Sequence, residues 1–398
     1  MVRRMRWVSL ALTTTTSWLV GCGGGETKRP DAATDDFDRA ALLAHLGRGV
    51  LAPLQASFAA EASTLPAVID VHCDALDAGT PGTTGDDARA AWGRTIDAWQ
   101  AVEGVLVGPA AMDNKALRDK IYGWPLLASC GVDRDTVTSW ADPASYVVDS
   151  KLVNLRSLGA IEYLMFNTST VHTCPTTPAG WDQLGAELPR ARCRQALAIA
   201  TDVAVHAAAL DEAWRANGGD YGSVLANAGQ SGSPLASAHE GVNLVSDGIF
   251  YIDRMVKDMK LAEPAGLAVN ACGTVEEPCE REAELRYADR GSAAIRANLA
   301  TVRAVFTGKT ATVDGPAFDD FLREVGSTEL ADRMTASLDN AIAKATALPD
   351  SFLTALTTHY ADVVSTHAAI KLFTDDLKSQ FLTVLALEIP DDVATDND

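Results

Sequence analysis

The chain has 398 residues, room for one large domain or for a few smaller ones at roughly 100–200 residues each, and for a sizeable core. Its composition of 47% hydrophobic, 22% charged and 6% aromatic residues is that of a globular protein and excludes disordered and collagenous classes. With 33 basic against 53 acidic residues the formal charge is −20, a surface that repels phosphate backbones and excludes nucleic acid as a partner.

Residues 1–21 join a basic start, Arg3, Arg4 and Arg6, to an apolar run too short to span a membrane, the pattern of an export leader. Loss of those three arginines takes the charge from −20 to −23. The run ends in Leu19-Val20-Gly21-Cys22, which resembles the bacterial lipobox, whose cysteine takes a diacylglycerol. That resemblance implies a membrane anchor on Cys22, and Gly23 in the next position implies an outer-membrane lipoprotein facing the periplasm or the exterior. Residues 22–36 read as a flexible tether.

From residue 37 the apolar residues recur three and four apart, and little alternates with period two. Phe37–Ala62 puts Leu42, Leu43, Leu46, Val50, Leu51, Leu54 and Phe58 on one helical stripe, interrupted only by Pro53. Ala88–Val107 does the same with Trp92, Ile96, Trp99, Val102 and Leu106. Further helical runs are 151–165, 192–216, 241–260, 281–306, 317–325, 328–347, 351–367 and 370–386. Breaks rich in Gly, Pro, Ser and Thr fall at 80–85, 168–180 and 217–232. The expected architecture is all-α: two packed four-helix-bundle-like halves, 37–217 and 233–398, stapled by disulfides.

Beyond Cys22 six cysteines remain, an even number in an exported chain, which points to three disulfides. Proximity in sequence favours Cys174–Cys193 and Cys272–Cys279, leaving Cys73–Cys130. Nucleotide-binding glycine loops, the nucleophile elbow and the zincin helix are all absent. No two of the seven histidines stand three or four apart, so no single helix face carries a di-histidine metal site.

One segment differs in kind. Arg156-Ser157-Leu158-Gly159-Ala160-Ile161-Glu162-Tyr163-Leu164-Met165-Phe166 sets a carboxylate in an apolar stretch, where an ionised group needs a cation, a metal or a set of donors. An arginine such as Arg118 or Arg156 is the simplest partner.

This segment resembles the GxHxxE signature of imelysin-like proteins, with Glu162 at the glutamate and Ala160-Ile161-Glu162-Tyr163-Leu164 matching closely. The helix carrying Trp92 and Trp99, then Gly108-Pro109, then Arg118 with Trp124-Pro125, resembles that family's tryptophan helix, GP turn and R…WP entry. Ala293 to Leu299 resembles the helix opening its second half, and Lys371 to Asp398 its closing helix and acidic tail. Two positions depart: Gly159 stands where the family has its histidine, and Ser157 where it has its first glycine.

The resemblance implies a ligand cleft between two helical halves, an envelope location and an association with iron uptake. The candidate cleft residues are Glu162, Ser157, Gly159, Arg118, Trp124, Arg286 and Arg290, and Glu162 with His239, at the expected junction of the halves, is the candidate metal-ligand pair for iron or another divalent ion. Asp113 is a further neighbour to test. The family also carries the description metallopeptidase, but a zinc hydrolase needs about three protein ligands and a base, and Gly159 removes one. The leading expectation is therefore a non-catalytic binding lipoprotein, with a ferric chelate as the ligand the arginines suggest. The alternatives are a peptidase with a rebuilt metal site and a structural or partner-binding surface protein.

Overall fold

Asp38 opens the first helix of the computed structural model, which describes residues 35–273 and 276–390: its carboxylate accepts the Ala41 N–H at 2.9 Å. The leader, Cys22, the tether up to residue 34 and the tail beyond Pro390 lie outside the described residues. Every regular element described is helical and none is a strand.

Helix α1 (Arg39–His45) runs through wide π turns, Leu46–Leu51, into α2 (Ala52–Asp77). Pro53 does not end the helix: the chain stays helical from the π turns straight into α2, where Ala52 still donates its N–H to the Gly47 carbonyl. The helix continues well past Ala62 to Asp77, burying Phe58, Ala62, Leu65, Ile69 and Cys73 as one stripe. Next come α3 (Thr84–Glu103), α4 (Met112–Ile121), α5 (Ser129–Ala141), α6 (Leu158–Phe166), α7 (Trp181–Leu184) and α8 (Leu188–Trp214). Helix α2 packs along both α3 and α8.

Then follow α9 (Tyr221–Ala226), α10 (Ala238–Ile249), a π-helix over Ile252–Ala262, α11 (Glu263–Ala265) and α12 (Gly291–Thr307). The chain closes with α13 (Phe318–Glu324), α14 (Thr328–Ala347), α15 (Phe352–Thr358), α16 (Tyr360–Asp376) and α17 (Leu382–Val384). The described chain from Asp36 onward is one compact unit, and α1 packs against α9 and α10. Helix α3 crosses α12 where Gly104 meets the Asn298 backbone, and any Cβ at Gly104 would lie 2.8 Å from the Asn298 carbonyl oxygen. This crossing brings the Glu103 end of α3 to the site described below.

The disulfides are Cys73–Cys193, Cys130–Cys174 and Cys272–Cys279. The expected Cys174–Cys193 and Cys73–Cys130 pairs are therefore corrected, and only the third holds. Packing of α8 on α2 sets the Cys73 and Cys193 Cα atoms 5.5 Å apart across 120 residues of sequence, so helix contact outweighs closeness in the chain.

Two expected helices start late. The run from Lys151 becomes helical only at Leu158, and the run from Arg281 only at Gly291. Residues 283–290 form turns instead, with Leu285 and Asp289 at φ 52° and 53°. The reason lies in Glu162.

Candidate functional site

Helix α6 begins at Ser157, whose C=O accepts the Ala160 and Ile161 N–H groups at 3.0 and 3.1 Å. Ser157 has φ 128° and ψ 176°, a region open almost only to glycine, the residue that stands here in the pattern this segment resembles. In this chain a serine holds that conformation, at a cost on the order of 1–3 kcal/mol. Trp92 of α3 fixes the start of α6 by donating its indole N–H to the Leu158 carbonyl at 3.0 Å.

Glu162 is 4% exposed and points at the turns before α12. Its Oε1 accepts two backbone N–H groups, from Tyr287 at 2.9 Å and Ala288 at 3.0 Å. A helix through 283–290 would use those donors internally, so the turns and the buried carboxylate require each other. Neither expected arginine pairs with it. Arg118 pairs with Glu103, and Arg156 with Asp149 and Asp202 at 2.8 and 3.0 Å.

Beneath Glu162 lies a buried charge network. Lys260 Nζ meets Glu284 Oε2 at 3.1 Å, Gln100 Oε1 at 2.7 Å and Asn298 Oδ1 at 2.8 Å. Tyr122 donates its hydroxyl to Glu284 Oε1 at 2.8 Å. Arg118 donates Nε to Glu103 Oε1 at 2.8 Å and Nη1 to the Trp124 carbonyl at 2.8 Å, so the R…WP pattern is one hydrogen-bonded unit. Three buried carboxylates, Glu103, Glu162 and Glu284, thus share two buried cations, Arg118 and Lys260. Glu162 is the one without a buried cation of its own.

Burial pushes the Glu162 carboxyl up to about 7; the two backbone donors and Arg286 pull it down and Glu284 pushes it further up. A raised carboxyl contributes stability that is full below its unfolded value near 4.5 and is lost as pH rises through about 7. At about 1.4 kcal/mol per pH decade this span corresponds to about 3 kcal/mol. Glu162→Gln is neutral throughout and keeps an acceptor for the backbone N–H groups. Its unfolding free energy relative to wild type, from denaturant titration, should therefore rise by about 2–3 kcal/mol between pH 5 and pH 8. Parallel pH profiles of the two proteins would contradict the assignment.

Above Glu162 opens a cavity of about 130 Å³. Its lining includes Glu162, Trp124, Arg286, Arg281, Glu263 and Tyr287. Three of the expected cleft residues, Glu162, Trp124 and Arg286, therefore meet, and Arg118 stands behind Trp124. Gly159 and Ser157 are buried on α6, away from the lining. Arg290 is withdrawn by an ion pair with Asp97 and does not line the cavity. His239 sits in the first turn of α10 and Asp113 is exposed on α4; neither reaches the lining. The pairing of His239 with Glu162 is corrected accordingly.

Sequence reasoning missed Glu103, Glu284, Lys260 and the backbone donors of residues 287 and 288. Lys260 ends a helical run and is 1% exposed, because Gln100 of α3 and Asn298 of α12 close over its ammonium.

The sequence profile of the family Imelysin matches residues 51–379. The chain belongs to the imelysin family. Among solved structures, an imelysin-like protein from Psychrobacter arcticum 273-4 superposes with a TM-score of 0.65 at 17% identity, covering 89% of this chain and 99% of that one. A protein from Parabacteroides distasonis ATCC 8503, provisionally named an iron-regulated protein A precursor, gives 0.64 at 17% identity, over 86% and 95%. These likenesses concern the fold. No curated protein matches the sequence.

In this imelysin-family chain no preassembled metal centre surrounds Glu162 among the described residues. At Gly159 a Cβ would find ordinary contacts, 3.8 Å from Ser157 Oγ and from Tyr122 Cε2, so space for a side chain exists but no ligand atom fills it. Among the described residues no three His, Cys, Asp or Glu ligand atoms gather around Glu162. The one cluster that does gather, Asp149, Asp202 and His206, is elsewhere, and Arg156 already pairs with both of its aspartates. The donor set at Glu162 does not fit a bare ion held by three protein ligands. No helix of the described residues is long and apolar enough to cross a membrane.

Proposed function

We propose that this imelysin-family chain is a non-catalytic, envelope-anchored binding protein for iron uptake, and that it takes iron as a small anionic chelate rather than as a bare ion. The observation that carries the reading is Glu162 itself: a buried carboxylate held by backbone N–H groups under a cavity lined by Arg281 and Arg286 and also by Glu263 and Glu282. Near pH 7 the carboxyl is poised between forms, so its protonated form can donate to an anionic oxygen while Arg286 supplies positive charge, Arg281 being paired with Glu282 at 4.0 Å. The association with iron is supported by family membership and by the printed name of the Parabacteroides relative. The anchor is supported by the lipobox-like stretch ending at Cys22.

Titrating the intact protein with ferric citrate by calorimetry tests the reading, with citrate and ferrous ion as controls. Saturable ferric citrate binding is expected, weakened at least tenfold by Glu162→Ala and by Arg286→Ala. Chelator-sensitive peptide hydrolysis abolished by Glu162→Gln would overturn it in favour of a rebuilt hydrolase. In cells, Cys22→Ser should shift the protein out of the membrane fraction, and unchanged fractionation would remove the anchor.

A further inference from the structure

Helix α6 separates two cavities. Glu162 faces the one described above, while Leu164 and Met165 line a second of about 430 Å³, a size typical of small-molecule sites. Its walls are largely apolar, with Leu76 from α2 and Leu188 from the start of α8. Its charged groups are Arg89 and Arg192.

Arg192 is unlike the other buried arginines. Arg118 and Arg156 each pair with carboxylates, whereas Arg192, 6% exposed, forms no ion pair among the described residues. Its faces lie against two rings, Tyr163 and Trp181, with Cζ 5.9 and 5.8 Å from their centroids. Its Nη1 donates to the Asn167 carbonyl at 2.7 Å. Its Nε and Nη2 are buried without any acceptor. Those two nitrogens form the edge of the guanidinium that grips a carboxylate side-on. Arg333 shows the geometry, with Nε and Nη2 on the two oxygens of Asp376 at 2.8 and 2.9 Å. Arg118 and Arg290 use the same edge on Glu103 and Asp97. A buried guanidinium keeps its charge, and leaving that edge empty is costly unless an acceptor arrives from outside the chain.

We propose that this cavity is a binding site for a small organic carboxylate with an apolar body, distinct from the Glu162 cavity. The carboxylate pairs with the Arg192 guanidinium, whose Nε and Nη2 are shut off from the cavity and turn toward it on binding. The apolar body lies along Leu76, Leu164, Met165 and Leu188, and Arg89, already paired with Asp86, also lines the cavity. The guanidinium supplies the directional fork and the apolar walls supply the rest of the affinity.

Calorimetric titration of the intact protein with decanoate, with decanol as the uncharged analogue and inorganic phosphate as the bare anion, tests the site. One-site decanoate binding is expected, at least tenfold tighter than decanol and not displaced by millimolar phosphate. Arg192→Met should weaken decanoate at least tenfold and leave decanol unchanged. Arg192→Lys keeps the charge without the fork and should weaken decanoate too, which guards against a misfolded methionine variant. Absence of saturable decanoate binding, equal binding of decanol, displacement by phosphate, or wild-type affinity in Arg192→Lys would each overturn the proposal.

Discussion

Arg118→Ala is expected to destabilise the protein by about 3–5 kcal/mol, the amount associated with stranding one partner of a buried ion pair. The side chains of Arg118 and Glu103 are 8% and 0% exposed, so truncation leaves a carboxylate in the core, with Lys260 3.9 Å away and already engaged by Glu284. It also frees the Trp124 carbonyl at the wall of the Glu162 cavity. Urea unfolding at pH 7 measures the loss. The double variant Arg118→Met with Glu103→Gln should be less damaged than Arg118→Ala alone, because neither charge is then stranded. A loss below about 1 kcal/mol for Arg118→Ala would mean that water reaches Glu103 and that the network is not sealed.

Replacing Cys73 and Cys193 together by alanine is expected to lower stability by about 4–5 kcal/mol, since this bridge closes a loop of 120 residues and long loops lose the most unfolded-state entropy when linked. Removing Cys272–Cys279, which spans 7 residues, should cost about 2 kcal/mol less on the same reasoning. Thermal and denaturant unfolding of the two double variants gives the comparison. Mass mapping of non-reduced digests should recover the 73–193 and 130–174 pairs; recovery of 174–193 would refute the packing of α8 on α2 near those residues.

Much of the fold is legible along the chain because helix formation is a local matter. The stripe from Leu42 to Phe58 and the stripe of Trp92, Ile96, Trp99 and Val102 are buried as their spacing demands. Pro53 misleads because a proline weakens a helix without having to end it: the stretch passes Pro53 directly after the π turns and Pro66 inside α2, held by the packing of α2 on α3 and α8. The run from Arg281 misleads in the opposite way. Its spacing suits a helix, but the N–H groups of Tyr287 and Ala288 serve Glu162, 125 and 126 residues earlier.

The candidate site divides in the same manner. Glu162 announces itself as a carboxylate among apolar neighbours, and Trp124 and Arg286 do meet it. Arg290 and His239 do not, because Asp97 takes the first and α10 holds the second at its opening turn. Glu284 and Lys260 lie in stretches whose spacing indicates helix alone, and nothing in that spacing announces that α3, α12 and the π-helix close over them.

Helix positions, the apolar stripes and the odd carboxylate follow from sequence alone, because they depend on residues within a few turns of one another. The disulfide partners, the pairing of Arg118 with Glu103, the raised Glu162 carboxyl and the empty edge of Arg192 were decided only by tertiary structure. Each depends on distance through space and on the loss of water around a charge, and packing brings together groups that the chain holds far apart.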